Sequence, residues 1–273
     1  MSSLLIGSLL ILTAIFHGGH AILDGFAAYQ YVAYMAQITK VYPVCAGTII
    51  STTHILTSAQ CIYNYDPSEL TIIARDSQII LLKFIIIHPK YRPFHGQTST
   101  DYYSESDNVA VIKLQRDIIL HHRVKVLKVV DDEIRPNYAL CSIAGPGQTQ
   151  MNAPYSPYNG WNWSYLEILP AARCEQLLRK HRPEEFCANA FMNRLPFKGD
   201  EGSSLVCDGQ LVGIYTAPFD SEMEKPYFTQ LPVIFMKVSA YYSFITSAME
   251  ISEIEKFDET FLWQLNSTQR PTE

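Results

Sequence analysis

The chain has 273 residues, a formal net charge of −6 and 48% apolar side chains, enough for one substantial hydrophobic core. The acidic balance argues against nucleic-acid or anionic-membrane binding, which calls for a basic patch. No internal repeat, low-complexity tract or shift of composition marks a second folded domain.

In chain order, the first predicted element is the apolar run 4–16, followed by Gly18-Gly19-His20-Ala21. It is too short for a membrane span and has the layout of a secretory signal peptide over 1–21, with small residues at Gly19 and Ala21 setting cleavage after Ala21. No other stretch is long and apolar enough to cross a bilayer, so the protein is expected to be secreted, extracellular and without a membrane span. Segments 70–74, 79–87, 109–114 and 211–216 are rich in Ile and Val and read as strands. Helical patterns are few, at 171–180 and 240–249, so the segment 22–250 is predicted to be one all-β domain. In the C-terminal extension 251–273, Ile251, Ile254, Phe257, Phe261 and Leu265 recur at spacings of three and four among acidic residues. That is an amphipathic helical stripe, which either packs back on its own domain or binds a partner.

Six cysteines in a secreted chain read as three disulfides, and spacing alone leaves their pairing open. No Cys-x-x-Cys pair or Cys/His cluster points to a metal, and no cofactor is implied. His121-His122 has no neighbouring ligand in the sequence and reads as a solvated turn. Two triplets, Asn162-Trp163-Ser164 and Asn266-Ser267-Thr268, are candidate glycosylation sites. The segment 148–161, rich in Pro, Tyr and Asn, reads either as a plain loop or as a partner-contacting surface.

Three motifs carry more. Cys45-Ala46-Gly47-Thr48-Ile49-Ile50 leads to Leu56-Thr57-Ser58-Ala59-Gln60-Cys61; Asn108-Val109-Ala110-Val111-Ile112-Lys113-Leu114 follows; and Lys198-Gly199-Asp200-Glu201-Gly202-Ser203-Ser204-Leu205-Val206-Cys207 comes last. In this order they resemble the histidine, aspartate and serine segments of the chymotrypsin/trypsin family of serine proteases. The resemblance implies a chymotrypsin-like double six-stranded β-barrel with a C-terminal helix. It sets Gln60, Asn108 and Glu201 at the places of the catalytic His, Asp and Ser. An amide does not titrate near neutrality, and a carboxylate is no substitute for a serine nucleophile, so active proteolysis is not expected. Asp107 does not compensate, because adjacent side chains of an extended segment point to opposite faces. His54 lies too far along the chain to replace Gln60, and His88 falls in a surface-turn sequence of the family.

Other features follow from the same resemblance. It implies the pairs Cys45–Cys61, Cys141–Cys207 and Cys174–Cys187. Cleavage after Ala21 leaves Ile22-Leu23-Asp24-Gly25, similar to the family's Ile-Val-Gly-Gly, whose α-amine inserts beside the aspartate retained here as Asp200. No Arg or Lys precedes Ile22, so signal-peptide removal itself is expected to make that terminus. Leu195, Thr216, Pro218 and Val233 fall around the specificity pocket, which is expected to be occluded; Pro218 also lacks the N–H that a substrate strand would use. Glu201 is read as an inert solvated or salt-bridged side chain, with an Asp200/Glu201 acid–base pair as the alternative.

The reading of function is a secreted serine protease homologue without catalysis, resembling inactive members known from insects. It would act as adaptor, cofactor or decoy in an extracellular protease cascade, in immunity or in a reproductive secretion. The expected partner is an extracellular protein, either an active protease or its substrate. A residual hydrolase using Glu201 and a structural secreted glycoprotein are the alternatives.

Overall fold

The structure, a computed structural model, describes residues 22, 25–28, 32–93, 106–131, 140–147, 160–178, 182–190, 192, 194–216 and 232–253. The expected leader, Pro218, the 148–159 part of the Tyr-rich segment, Asn266 and the tail beyond Glu253 lie outside these residues.

The first half of the chain closes into a six-stranded antiparallel barrel. Its strands are β2 (Met35–Thr39), β3 (Pro43–Ser51), β4 (His54–Thr57), β5 (Thr71–Ala74), β6 (Ile79–Ile87) and β7 (Ala110–Leu114), in the order β2-β3-β4-β7-β6-β5. Closure removes both sheet edges, so every strand finds two partners. The interior is filled mostly by β-branched residues, with Ile38, Ile49, Ile55, Ile72, Ile80 and Ile112 all buried in one cluster.

The second half repeats the construction. Strands β8 (Cys141–Gly145), β9 (Asn162–Ile168), β10 (Glu185–Ala190), β11 (Ser204–Cys207), β12 (Gln210–Tyr215) and β13 (Val233–Lys237) run β9-β10-β13-β12-β11-β8, and the β8–β9 pairing closes them. The short β1 (Phe26–Ala27) lies outside this ring and pairs with the first residues of β9. Among the described residues there are two α-helices, α1 (Ala171–Leu177) after Pro170 and α2 (Tyr242–Glu250), the latter entered through a 3-10 turn at Ser239–Tyr241. The four predicted strands and the helices predicted at 171–180 and 240–249 are found, with ends that shift by a residue or a few, while the helical stripe predicted after Ile251 lies outside the described residues. The disulfides join Cys45 to Cys61, Cys141 to Cys207 and Cys174 to Cys187.

A third apolar cluster holds the barrels together. Leu56, Phe84, Ile86 and Val111 come from the first barrel; Val206, Leu211, Ile214 and Met236 come from the second; Tyr241, Phe244, Ile245 and Ala248 bring α2 over both. His88, expected at a surface turn, is instead buried under this helix. Its ring meets the edges of Tyr241 and Phe244 at 5.2 and 4.8 Å, and Asp107 Oδ1 lies 3.5 Å from its Nδ1. Burial holds the His88 imidazole below its ordinary pKa against the opposing pull of Asp107. The reason for the difference is tertiary, since the helix that covers His88 is far away in the sequence.

Phe244→Ala is expected to cost about 3–5 kcal/mol, because the cavity opens in the seam itself. Denaturant unfolding should show a lower midpoint with both barrels still melting together; a loss under about 1 kcal/mol would mean that the seam does not couple them.

Candidate functional site

The three resemblance motifs converge on one cleft between the barrels. Gln60 sits in the 3-10 turn Ala59–Cys61 that follows β4, and Asn108 lies just ahead of β7. Asn108 is fully buried. Its Oδ1 accepts the Gln60 backbone N–H at 2.9 Å, and its Nδ2 donates to Gln60 Oε1. The N–H of Gln60 can only be met by an oxygen, so this contact fixes which way the Asn108 amide faces. The result is a two-point clamp between neutral amides.

Asp107 points elsewhere. It has φ +53°, and its Oδ1 meets His88 and the Tyr241 hydroxyl. The expected divergence from Gln60 is present, but a left-handed turn produces it rather than strand alternation. His54 is also remote, starting β4 opposite Lys113 at the far end of β7 from Asn108. It is buried, accepts or donates at Ser51 Oγ over 2.7 Å, and has its pKa pushed down to about 4 by burial and then by Lys113. His121 is not a bare solvated residue, because its Nε2 lies 2.6 Å from Asp76 Oδ2.

Glu201 lies on the loop between Pro196 and β11. The loop is folded by two left-handed glycines, Gly199 at φ +93° and Gly202 at φ +80°. Gly202 is packed so tightly that a Cβ would stand 2.4 Å from the Ala46 carbonyl oxygen. The Glu201 carbonyl accepts from Ala46 N at 2.8 Å, while Gly202 and Ser203 exchange backbone bonds with Tyr215 of β12. These ties fix the side chain as well. Glu201 is only 8% exposed, and its Oε2 accepts the Gly199 backbone N–H at 2.7 Å. The expectation of a solvated Glu201 is therefore corrected: the loop turns the carboxylate back onto its own backbone.

Asp200 faces the opposite way and is fully buried. Its oxygens accept from Gly147 N at 2.8 Å and Phe197 N at 2.9 Å, and the Ile22 backbone N–H bonds the same carboxylate. Burial pushes the Asp200 pKa up to about 8, with Glu201 adding to the rise and the three N–H groups opposing it. Asp200 and Glu201 thus diverge, each held by different backbone N–H groups. Ile22 is itself buried, at φ +58°. A β-branched residue is strained there, and the torsion exists only while the carbonyl of Ala21 is attached.

Where the family keeps its specificity pocket, Leu195, Phe197, Tyr215 and Val233 join one buried apolar cluster with Phe235. Thr216 is buried too, its N–H bonded to Ile234 O at 3.2 Å. Tyr215 was not singled out by sequence reasoning. Its ring is fully buried, and its hydroxyl donates to Pro196 O at 3.3 Å. The signal was available, because Gly213-Ile214-Tyr215-Thr216 resembles the family's Gly-Ile-Val-Ser, and a ring is much larger than the valine it replaces. In contrast, the other side of the cleft is open. A cavity of about 510 Å³ is lined by Tyr42, Pro43, Val44, Tyr65, Lys198 and Gly199 together with Gln60 and Glu201.

The sequence matches the family Trypsin over residues 22–245. The chain belongs to the trypsin family. It is 28% identical over 229 residues to trypsin of Phaedon cochleariae, covering 78% of this chain and 81% of the relative. Mast cell protease 3 of Ovis aries is 24% identical over 215 residues, with 76% of this chain and 78% of the relative covered. Two solved structures share the fold, each with a TM-score of 0.69. Neuropsin of mouse brain is 23% identical and covers 84% of this chain and 100% of its own; a mutant of human heparin binding protein is 18% identical and covers 86% and 100%. Among the described residues of this trypsin-family chain, no helix is long and apolar enough to cross a membrane.

One expected modification conflicts with the geometry. Asn162 is 1% exposed within β9, and its Nδ2 donates to Gly25 O at 3.1 Å. A glycan on Nδ2 and this packed strand exclude each other, so glycopeptide mapping of the folded protein should find Asn162 unmodified; full occupancy would mean that β9 does not form as described.

A second prediction concerns Asp200. Its folded pKa is near 8 against an ordinary 3.8, so the folded state holds the extra proton between these values and stability falls as pH rises from about 4 to 8. Glu185, pushed up to about 7 chiefly by burial, adds a fall of the same sign. A chain beginning at Ile22 carries an ammonium group beside Asp200, which favours the carboxylate. Its melting temperature should therefore fall less over pH 4–8 than that of a chain retaining Ala21. Equal slopes for the two forms would refute the pairing.

Proposed function

We propose that this protein is a secreted, non-catalytic member of the trypsin family that works by binding another extracellular protein. The observation that carries the reading is the bond from the Gly199 N–H to the Glu201 carboxylate. In serine-protease chemistry the N–H of the glycine two residues before the nucleophile stabilises the oxyanion, and losing one such donor costs about 10²–10³ in kcat. Here a carboxylate of the same loop holds that donor. The Gln60–Asn108 amide pair offers no proton acceptor near neutral pH, which supports the reading independently. Leu195, Tyr215, Phe197 and Val233 fill the space where a substrate side chain would enter.

The open side of the cleft supports binding. Val41 and Tyr42 on its rim are 80% and 61% exposed, and aromatic side chains with one polar end are common interface anchors. The partner class is an active protease or its substrate, and the role is adaptor, cofactor or decoy in an extracellular cascade. Signal-peptide removal after Ala21 would make Ile22 the mature terminus, and the family match that starts at residue 22 supports this.

Two measurements test the proposal together. The wild-type protein should turn over no member of a peptide library, and the triple variant Gln60→His/Asn108→Asp/Glu201→Ser should still not cleave after Arg or Lys. Wild-type turnover that disappears in Glu201→Ala would overturn the non-catalytic reading, and cleavage by the triple variant would overturn the occluded pocket. For binding, a photo-crosslinker in place of Tyr42 should capture one protease or protease substrate at near-stoichiometric yield from the native secretion. No capture there would remove the proposed surface.

A further inference from the structure

The outer face of β6 is covered along only part of its length. Ile80 and Leu82 point into the first barrel, so Ile79, Leu81 and Lys83 point out. A register shift between Leu82 and Phe84 then turns Phe84 and Ile86 into the seam, where α2 covers them. Among the described residues nothing covers the preceding part: Ile79 is 60% exposed and Leu81 52%. Ile119 and Leu120, 66% and 43% exposed, extend the patch. Gln78 binds the two stretches together, its Nε2 donating to Ile119 O at 2.9 Å and its Oε1 accepting Ile119 N–H at 2.8 Å. Four large exposed apolar side chains on two stretches joined by Gln78 call for an occupant.

The chain's own path points to that occupant. After α2 ends at Glu250, Ile251 packs against the seam. Ser252 O then accepts from Lys83 Nζ at 2.9 Å, and Glu253 Oε1 stands 4.0 Å from the same nitrogen. Lys83 is the next outward position after Leu81. The backbone therefore arrives at the edge of the uncovered patch, immediately before Ile254, Phe257, Phe261 and Leu265 supply an apolar stripe at helical spacing. Glu255, Asp258 and Glu259 accompany the stripe, and the patch is flanked by Lys83 and by Arg116, whose Nη2 donates to Ile79 O at 2.7 Å.

We propose that residues 254–265 dock as an amphipathic helix on Ile79, Leu81, Ile119 and Leu120 of the same chain. The reach is sufficient, since a helix of this span is about 18 Å long and the strand from Lys83 to Ile79 covers about 13 Å. The tether at Lys83 gives the tail a high effective concentration over its own patch, which favours it over a second copy. The tail then continues α2 as a strap that completes the cover of β6.

Limited trypsin digestion of the full-length protein tests this at Lys256. Cleavage after Lys256 should be at least about tenfold slower in the wild type than in Leu81→Asp/Ile119→Asp, because a docked helix is cut only when it opens. Both substituted side chains are exposed, and an unchanged near-ultraviolet circular dichroism spectrum verifies the barrel. The tail variant Ile254→Asp/Phe261→Asp leaves the patch intact and should lose protection equally, so the test survives if the patch variant misfolds. Equal rates in wild type and tail variant would overturn the proposal, as would protection that grows with protein concentration and so belongs to a second copy.

Discussion

The buried carboxylate of Asp200 is the constraint from which the site follows. A carboxylate removed from water is costly unless polar partners surround it, and here N–H groups come from Phe197, Gly147 and Ile22, three separate stretches of chain. Their convergence leaves no space for side chains nearby. A Cβ on Gly145 would lie 2.0 Å from Asp200 Oδ1, and one on Gly147 would lie 2.6 Å from its Cγ. Once Asp200 is anchored, the glycine-bent loop from Phe197 to Ser203 has one course, and that course aims Glu201 at the Gly199 N–H. Two tensions remain in this arrangement. The carboxyl keeps its proton up to about pH 8, and Ile22 is held at a positive φ. A free amine at Ile22 would relieve both.

The other half of the site is held by two neutral side chains. Asn108 reaches the Gln60 main chain and side chain at once, so the clamp needs only one acceptor and one donor rather than a charge. Two amides satisfy each other without titrating, and the buried Asn108 avoids the desolvation penalty that a carboxylate would bring. Glu201, which faces the cleft, is itself hydrogen-bonded to the backbone and raises the pKa of Asp200. Electrostatic stability of the loop is thus linked to which residue stands at 201.

Much of this was legible in the sequence because it is local. The strands announced themselves by β-branched runs, the cysteine pairs followed from the resemblance, and Gln60, Asn108 and Glu201 each sat within a motif. What was not legible depends on distant chain. His88 reads as a surface turn until α2 folds over it, and Asp76 becomes a partner of His121 only through barrel closure. A sequon says nothing about burial, so Asn162 looked available until β9 was seen packed against β1 and β8. Glu201 looked solvated because charge is usually outside, and only the curl of its loop turns it inward. Tyr215 was the missed opportunity, since a ring where the family has valine was visible without coordinates.

The two sides of the cleft then have different physical fates, and the difference bears on how binding works. On one side Leu195, Tyr215 and Val233 are packed into the second barrel, which adds apolar burial. On the other side Tyr42, Val44 and Tyr65 line an open cavity set on β3 and the following turns, stapled by Cys45–Cys61. A surface built on closed barrels and a disulfide is already ordered before a partner arrives, so association need not include the cost of ordering it. The open side thus presents shape and aromatic surface on a frame that the closed barrels and the disulfide keep rigid.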